Sequence, residues 1–297
     1  MRRTARALAA CLAIALFPSS AFAWGSAAHK YIMRGAIDLL PLELKPFFAR
    51  YREEIVLRVM DPDLWRNVGW AEDPNHFVDF GVREYGPYPF TALPRDYSAA
   101  LEKFGRVTLE RNGLLPWREE EMFGNLRRAF EGMDRNAPYA VSDVVVFSAV
   151  AAHYMQDAYQ PLHATDNFDG ARTGQQGLHA RFERDVFERY ESLLSINPGP
   201  LAPVSSARDA AFDALLESFR LVDPLLAADK KAIAGRDVYD DAYFGAFFTS
   251  VKPLLEQRIG GAIAATASLI GGAWQLAGKP VLKLEISRPV ERVRRAG

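Results

Sequence analysis

The chain is nearly free of cysteine. Its one thiol is Cys11, inside a segment that reads as a leader. A mature chain without it holds no disulfide and no thiol. That excludes a disulfide framework and a cysteine nucleophile. An excess of charge of one sign is also missing. There are 36 Lys and Arg against 37 Asp and Glu, a formal net charge of -1. Losing Arg2, Arg3 and Arg6 with the leader moves this from -1 to -4. Such a chain is not a stoichiometric nucleic-acid binder working through a basic surface. An enzyme whose metals hold the phosphate is not excluded. Internal repeats, low-complexity linkers and long charge runs are absent, so one domain over residues 24–297 is expected. Strand-like alternation is scarce outside Val281–Ile286. The predicted class is all-α, one compact multi-helix domain.

The leader comprises residues 1–23. A basic start, Met1 to Arg6, precedes an apolar run from Ala7 to Phe17 and a small-x-small site at Ala21-Phe22-Ala23. This order is that of a cleaved secretory signal, too short and wrongly flanked for a membrane span. Leu8-Ala9-Ala10-Cys11 has the look of a lipid-attachment box. The apolar run before it is too short and continues past it, so that reading is rejected. Cleavage behind Ala23 makes Trp24 the first residue of a periplasmic or secreted protein. Without disulfides, its stability must come from a core and from bound metal.

Helical periodicity dominates the rest of the chain. Helices are predicted from Ser26, as cap, to about Leu40, over Leu44–Arg52, and from Pro116 to near Met133. Ser142 or Asp143 is read as the cap of a long apolar helix that stops before Pro161. Further helices fit Gly177–Leu194, Ser205–Leu221, Tyr239–Arg258 and Ile259–Ala277, and Gly81–Tyr97 reads as an ordered loop. Ile259–Ala277 carries no charge. It reads as a buried core helix whose paired glycines allow close packing, with an amphipathic or spanning role as the alternative.

The chemistry lies with five histidines, His29, His76, His153, His163 and His179. His153-Tyr-Met-Gln-Asp157 places two ligand types four residues apart on one helix face. Pro161 then turns the chain, so His163 can return towards the same pocket. The preceding run, Val144 to Ala152, is apolar. It buries a carboxylate that needs a cation or a histidine partner. His179-Ala-Arg-Phe-Glu183 repeats the spacing. With His163 it offers three protein ligands and an open position, the pattern of a catalytic zinc. A third element, Asp61-Pro-Asp63 with His76, adds a carboxylate and an imidazole; Asp63 is preferred over Asp61. A fourth is Trp24 itself, whose free amine and carbonyl can chelate, with His29 little more than one turn away.

Together these motifs resemble the superfamily of zinc-dependent phospholipases C and S-one/P-one type single-strand nucleases. The resemblance runs from Trp24 to about Arg189. It implies a helical fold around a cleft with three zinc ions. By this likeness one ion is held by Asp63, His76, His153 and Asp157. A second is held by the Trp24 amine and carbonyl, His29 and the shared Asp157. A third is held by His163, His179 and Glu183. The likeness further implies a metal-bridging water as nucleophile, with Asp63 orienting or deprotonating it.

The Gly-Gly-Asn and Asn-Leu-His-x-x-Trp-Asp elements of the nuclease branch are absent. Asp169-Gly170-Ala-Arg-Thr-Gly174 and a final Glu183 stand there instead, which resembles the phospholipase branch. The short Trp24–His29 spacing resembles the nuclease branch. Three readings are therefore open. One is a phospholipase-C-like hydrolase acting on a phospholipid head group, with transient membrane-surface contact. One is a single-strand nuclease or 3'-nucleotidase, with single-stranded nucleic acid as substrate rather than stable partner. One is a non-catalytic exported zinc-binding protein.

Overall fold

The computed structural model describes residues 24–286. The leader, its cleavage point and the last residues of the expected domain lie outside the described residues. The chain runs through α1 (Ser26–Leu39), α2 (Lys45–Arg50), α3 (Arg52–Arg58) and α4 (Asp61–Asn67) into irregular chain with short 3-10 turns at Asp73–His76 and Arg83–Tyr85. Then come α5 (Tyr97–Phe104), α6 (Arg106–Asn112), α7 (Leu115–Asp134) and α8 (Ala140–Ala158). After the 3-10 turn Pro161–Ala164, α9 (Leu178–Ala180) passes through π-helical Arg181–Val186 into α10 (Phe187–Tyr190). The chain ends in α11 (Ala207–Arg220), α12 (Val222–Ile233) and α13 (Asp241–Leu276). Among the described residues there is no strand, only an isolated parallel bridge between Phe80 and Thr165. This is a single, all-helical domain.

Several expected ends move. Gly25, not Ser26, caps α1, and no side chain caps that end. The apolar helix starts at Ala140, because the turn ending in Ala140 N–H to Ala137 O already winds it. Asp143 therefore sits in its first turn, where a carboxylate favours the helix dipole. Ser206 and Asp240 make the side-chain caps of α11 and α13, bonding the amides of Asp209 and Tyr243. The run after Leu221, unassigned in the sequence, is α12; Pro224 falls in its first turn, where a missing N–H costs nothing. Two helices expected to meet at Ile259 are one helix of 36 residues. The Val281–Ile286 alternation finds no strand to pair with and stays irregular.

The core has two parts. Met33 to Ile37, α7, α8 and the end of α13 build one. Trp24, Ile32, the 178–187 segment, α12 and the first half of α13 build the other. The apolar window of α13 is 72% buried inside the fold, so packing accounts for its hydropathy. Its glycines meet irregular chain and a ring rather than another helix. A Cβ on Gly272 would lie 2.2 Å from the Val204 carbonyl oxygen, and one on Gly261 would lie 2.5 Å from the Tyr159 ring.

Tyr159 follows α8 directly, where the last carbonyls lack helical partners. Ser218 Oγ donates to Ala158 O at 2.7 Å, and Arg258 Nε donates to Tyr159 O at 2.9 Å. Arg258, 2% exposed, also donates to Ala214 O and Ser218 Oγ. One guanidinium thus ties α13 to α11 and to the turn that sends His163 back. Arg258→Ala removes these bonds and leaves a cavity. It is expected to cost about 3 kcal/mol of unfolding free energy, read from urea denaturation.

Candidate metal centre

The length and apolarity of α8 carry the site inward. Ser148 to Ala158 are all buried on this helix, including His153, Gln156 and Asp157. Asp157 is the hub. Its Oδ2 lies 3.0 Å from His76 Nδ1 and 3.3 Å from His153 Nε2. Its Oδ1 lies 3.4 Å from His29 Nε2 and 3.8 Å from His163 Nδ1. The two oxygens therefore face different histidines. Asp63, fully buried, places Oδ1 3.9 Å from both His76 and His153. His179 Nε2 is 2.7 Å from Glu183 Oε2 and 3.2 Å from His163 Nε2.

Three groups are close enough to hold a cation. They are His29, His153 and Asp157; Asp63, His76 and His153; and His163, His179 and Glu183. Within each, one ligand atom per residue lies within 4.8 Å of the others. All eight predicted side chains are brought together. The grouping differs from the expected one in that His153, not Asp157, is common to the first two groups, and Asp157 falls in the first. Asp63 joins the cluster while Asp61 faces outward to Arg58 at 3.3 Å. Trp24 is buried, and its Nε1 donates to Gln156 O at 2.8 Å, beside the residue that precedes Asp157.

The donor set fits divalent ions. Three carboxylates and five imidazoles are buried in one place. His29 Nε2, His76 Nε2, His163 Nδ1, His179 Nδ1, Asp63 Oδ2 and Asp157 Oδ1 find no hydrogen-bond partner. Orphaned buried lone pairs of this kind are costly unless a cation takes them. Mixed nitrogen and carboxylate donors suit zinc. The electrostatics point the same way. Burial alone would raise Asp157, yet His153 and His163 hold it well below the carboxylate range. Burial would lower His153, but Asp157 and Asp63 push it up to about 9. Burial drives His163 and His76 down, despite Asp157. Glu183 rises through burial, and its carboxylate in turn raises His179 against burial.

Residues beyond the predicted set orient the donors. Gln156 Oε1 sits 2.6 Å from His29 Nδ1, so that nitrogen carries the proton and Nε2 keeps its lone pair. Val59 O does the same for His153 Nδ1 at 2.7 Å. Gln160 donates from Nε2 to Glu183 at 3.1 Å and accepts from Leu162 N–H. Glu72, bonded by Tyr154 and paired with Arg118, fastens the segment that carries His76. Glu119, buried with both oxygens unpartnered, is raised well above the carboxylate range by burial and by Asp157. Glutamines inside an apolar helix were the available signal; Glu119 was hidden in the charged run Arg118 to Glu121.

The cluster opens on two adjoining cavities. One, of about 260 Å³, is lined by His76, His163 and His179 with Phe77, Phe168 and Asp79. The other, of about 920 Å³, reaches Glu183. Arg66 and Phe168 line both. No family model matches the chain, and no curated protein sequence matches it.

This geometry can be tested at Gly113 and at Asp79. Gly113, at φ +97°, lies against the segment bearing His76, where a Cβ would come within 2.0 Å of the Phe77 carbonyl oxygen. Gly113→Ala should displace His76 and cost about 3 kcal/mol, with weaker retention of bound metal on dialysis. Burial and Asp166 push Asp79 up to about 7 from 3.8. A folded pKa above the unfolded one gives stability that is complete below pH about 4 and lost as pH rises through about 7. In chelator, Asp79→Asn should therefore gain on the order of 2 kcal/mol over the parent at pH about 8 and little at pH about 4, in paired thermal melts.

Proposed function

We propose that this chain is an exported zinc-dependent hydrolase of phosphate esters, phospholipase-C-like in its substrate. The observation that carries the reading is the hub at Asp157 and His153. Around it lie three buried donor groups, two of them sharing His153, and His76, His163, His179 and Glu183 line the adjoining cavities. A purely structural zinc is closed off by four ligands, and such closure does not match His163, His179 and Glu183, three donors that all line cavity walls. When bound, the zinc ions supply the positive charge that draws phosphate oxygens in and makes water acidic.

The side chains divide the remaining work. Asp63 Oδ2, buried and free of hydrogen bonds, accepts the proton of the attacking water. Its other oxygen is held by Arg66 Nη1 at 3.5 Å. Gln156 and Val59 O fix the protonated nitrogens of His29 and His153, and Gln160 fixes Glu183. Phe77 and Phe168 line the smaller cavity beside His76 and His179. The phospholipase preference rests on the His179–Glu183 motif and on the missing nuclease elements. Export rests on the leader motif, and Trp24 as a ligand rests on cleavage behind Ala23. The spacing of Trp24 to His29 favours a second reading, a single-strand nuclease or 3'-nucleotidase.

Mature protein should hold about three zinc ions by elemental analysis and lose activity in chelator. Asp157, whose two oxygens face different groups, should matter more for retention than Glu183 in one group. Asp157→Asn is expected to lose about two ions and Glu183→Gln about one. Equal losses would remove the bridging role, and less than one zinc in the parent would remove the metal site. Turnover of phosphatidylcholine beside denatured DNA and RNA separates the two substrate readings.

A further inference from the structure

The larger cavity has an apolar crown that the chemistry at its floor does not require. Leu57, Leu64 and Phe168 line it and are 62%, 53% and 47% exposed. Val68, the residue that ends α4, follows Leu64 by four positions and is 68% exposed. Trp70, 60% exposed, stacks on Trp65 with ring centroids 5.4 Å apart. Leu57, Leu64 and Phe168 in a cleft wall, with Val68 and Trp70 close along the chain from Leu64, mark an interaction surface rather than scattered surface apolarity. Charges of both signs accompany them in the same wall: Lys30, Arg58 and Arg184 with Asp61, Asp169 and Glu188.

We propose that this crown docks the protein on a zwitterionic phospholipid surface, with Leu57, Leu64, Val68, Trp70 and Phe168 entering the interface around the cleft. The argument is one of complementarity. A zwitterionic head-group layer presents phosphate and ammonium together, above hydrocarbon. The mixed cations and carboxylates of the wall match the former, and the crown matches the latter. A single-stranded polynucleotide presents one sign of charge, which Asp61, Asp169 and Glu188 oppose as much as Lys30, Arg58 and Arg184 attract. Aliphatic Leu57, Leu64 and Val68 also offer it no stacking platform. A second copy of the chain on this crown would close the cleft. Trp70 supplies the amphipathic ring suited to the head-group level. The proposal deepens the phospholipase reading, and it is separable from it because docking needs no turnover.

The test uses the zinc-loaded mature protein, sucrose-loaded phosphatidylcholine vesicles and brief co-sedimentation. The parent should partition onto vesicles, and raising the salt should leave that partition nearly unchanged, since the contact is mainly apolar. Val68→Asp, and separately Trp70→Ser, should each weaken partition about tenfold. Both should still hydrolyse a soluble phosphodiester, bis(4-nitrophenyl) phosphate, like the parent. No vesicle partition by the parent, or equal partition by parent and both variants, overturns the proposal. So does a Val68→Asp variant that loses only self-association in sedimentation velocity, or only binding to denatured DNA. Vesicle binding that depends on the crown, in a protein inert towards every phosphodiester, upholds docking and overturns the hydrolase reading.

Discussion

Everything in this fold answers to the cost of burying Asp157. A carboxylate wholly removed from water is tolerable only when opposite charge and hydrogen-bond donors surround it. Its two oxygens draw His29, His76, His153 and His163 from α1, the segment after α4, α8 and the turn after α8. α1 and the segment after α4 thus converge on the end of α8 and the turn that continues it. Arg258 and Ser218 hold the end of α8, and Glu72 with Tyr154 and Arg118 holds the His76 segment. These polar ties serve the placement of the donors as much as the stability of the helices.

The same constraint couples binding to folding. Without a cation, the cluster relies on protons, and His153 retains one to about 9 because Asp157 and Asp63 adjoin it. A bound metal ion would replace that proton and take the orphaned lone pairs as well. The free energy of binding is then free energy of folding. For a chain whose one cysteine stands in the leader motif, this is a strong substitute for a cross-link. The two core clusters meet around the donors, so the ions would sit where the apolar halves of the molecule join.

Much of the centre was legible because helical spacing converts directly into shared direction. His153 with Asp157, and His179 with Glu183, needed only the geometry of a helix. Pro161 announced the return of His163. Less was legible where contacts are remote in sequence. Nothing local ties Gly113 to the Phe77 carbonyl, Val59 O to His153, or Glu72 to Tyr154. Helix ends were misread where backbone turns, not side chains, do the capping, as at Gly25 and Tyr139. The Ile259 boundary failed because α13 runs unbroken past it, and its paired glycines, read as room for another helix, have different neighbours. In the fold they are spaces for the Val204 backbone and the Tyr159 ring.

The π-helical segment Arg181–Val186 fixes a phase as well as a shape. A π turn carries a surplus residue relative to the α-helix on either side. Upstream of it, His179 looks towards the donors; at its end Val186, and just downstream Phe187, look into the second core. Each residue advances an α-helix by about 100°. Deleting one residue here would restore regular winding and swing Phe187 out of that core, unless His179 and Glu183 turned away from His163. The surplus residue is thus a gear between two faces, and a chain that lost it would have to choose between its candidate ligands and its packing.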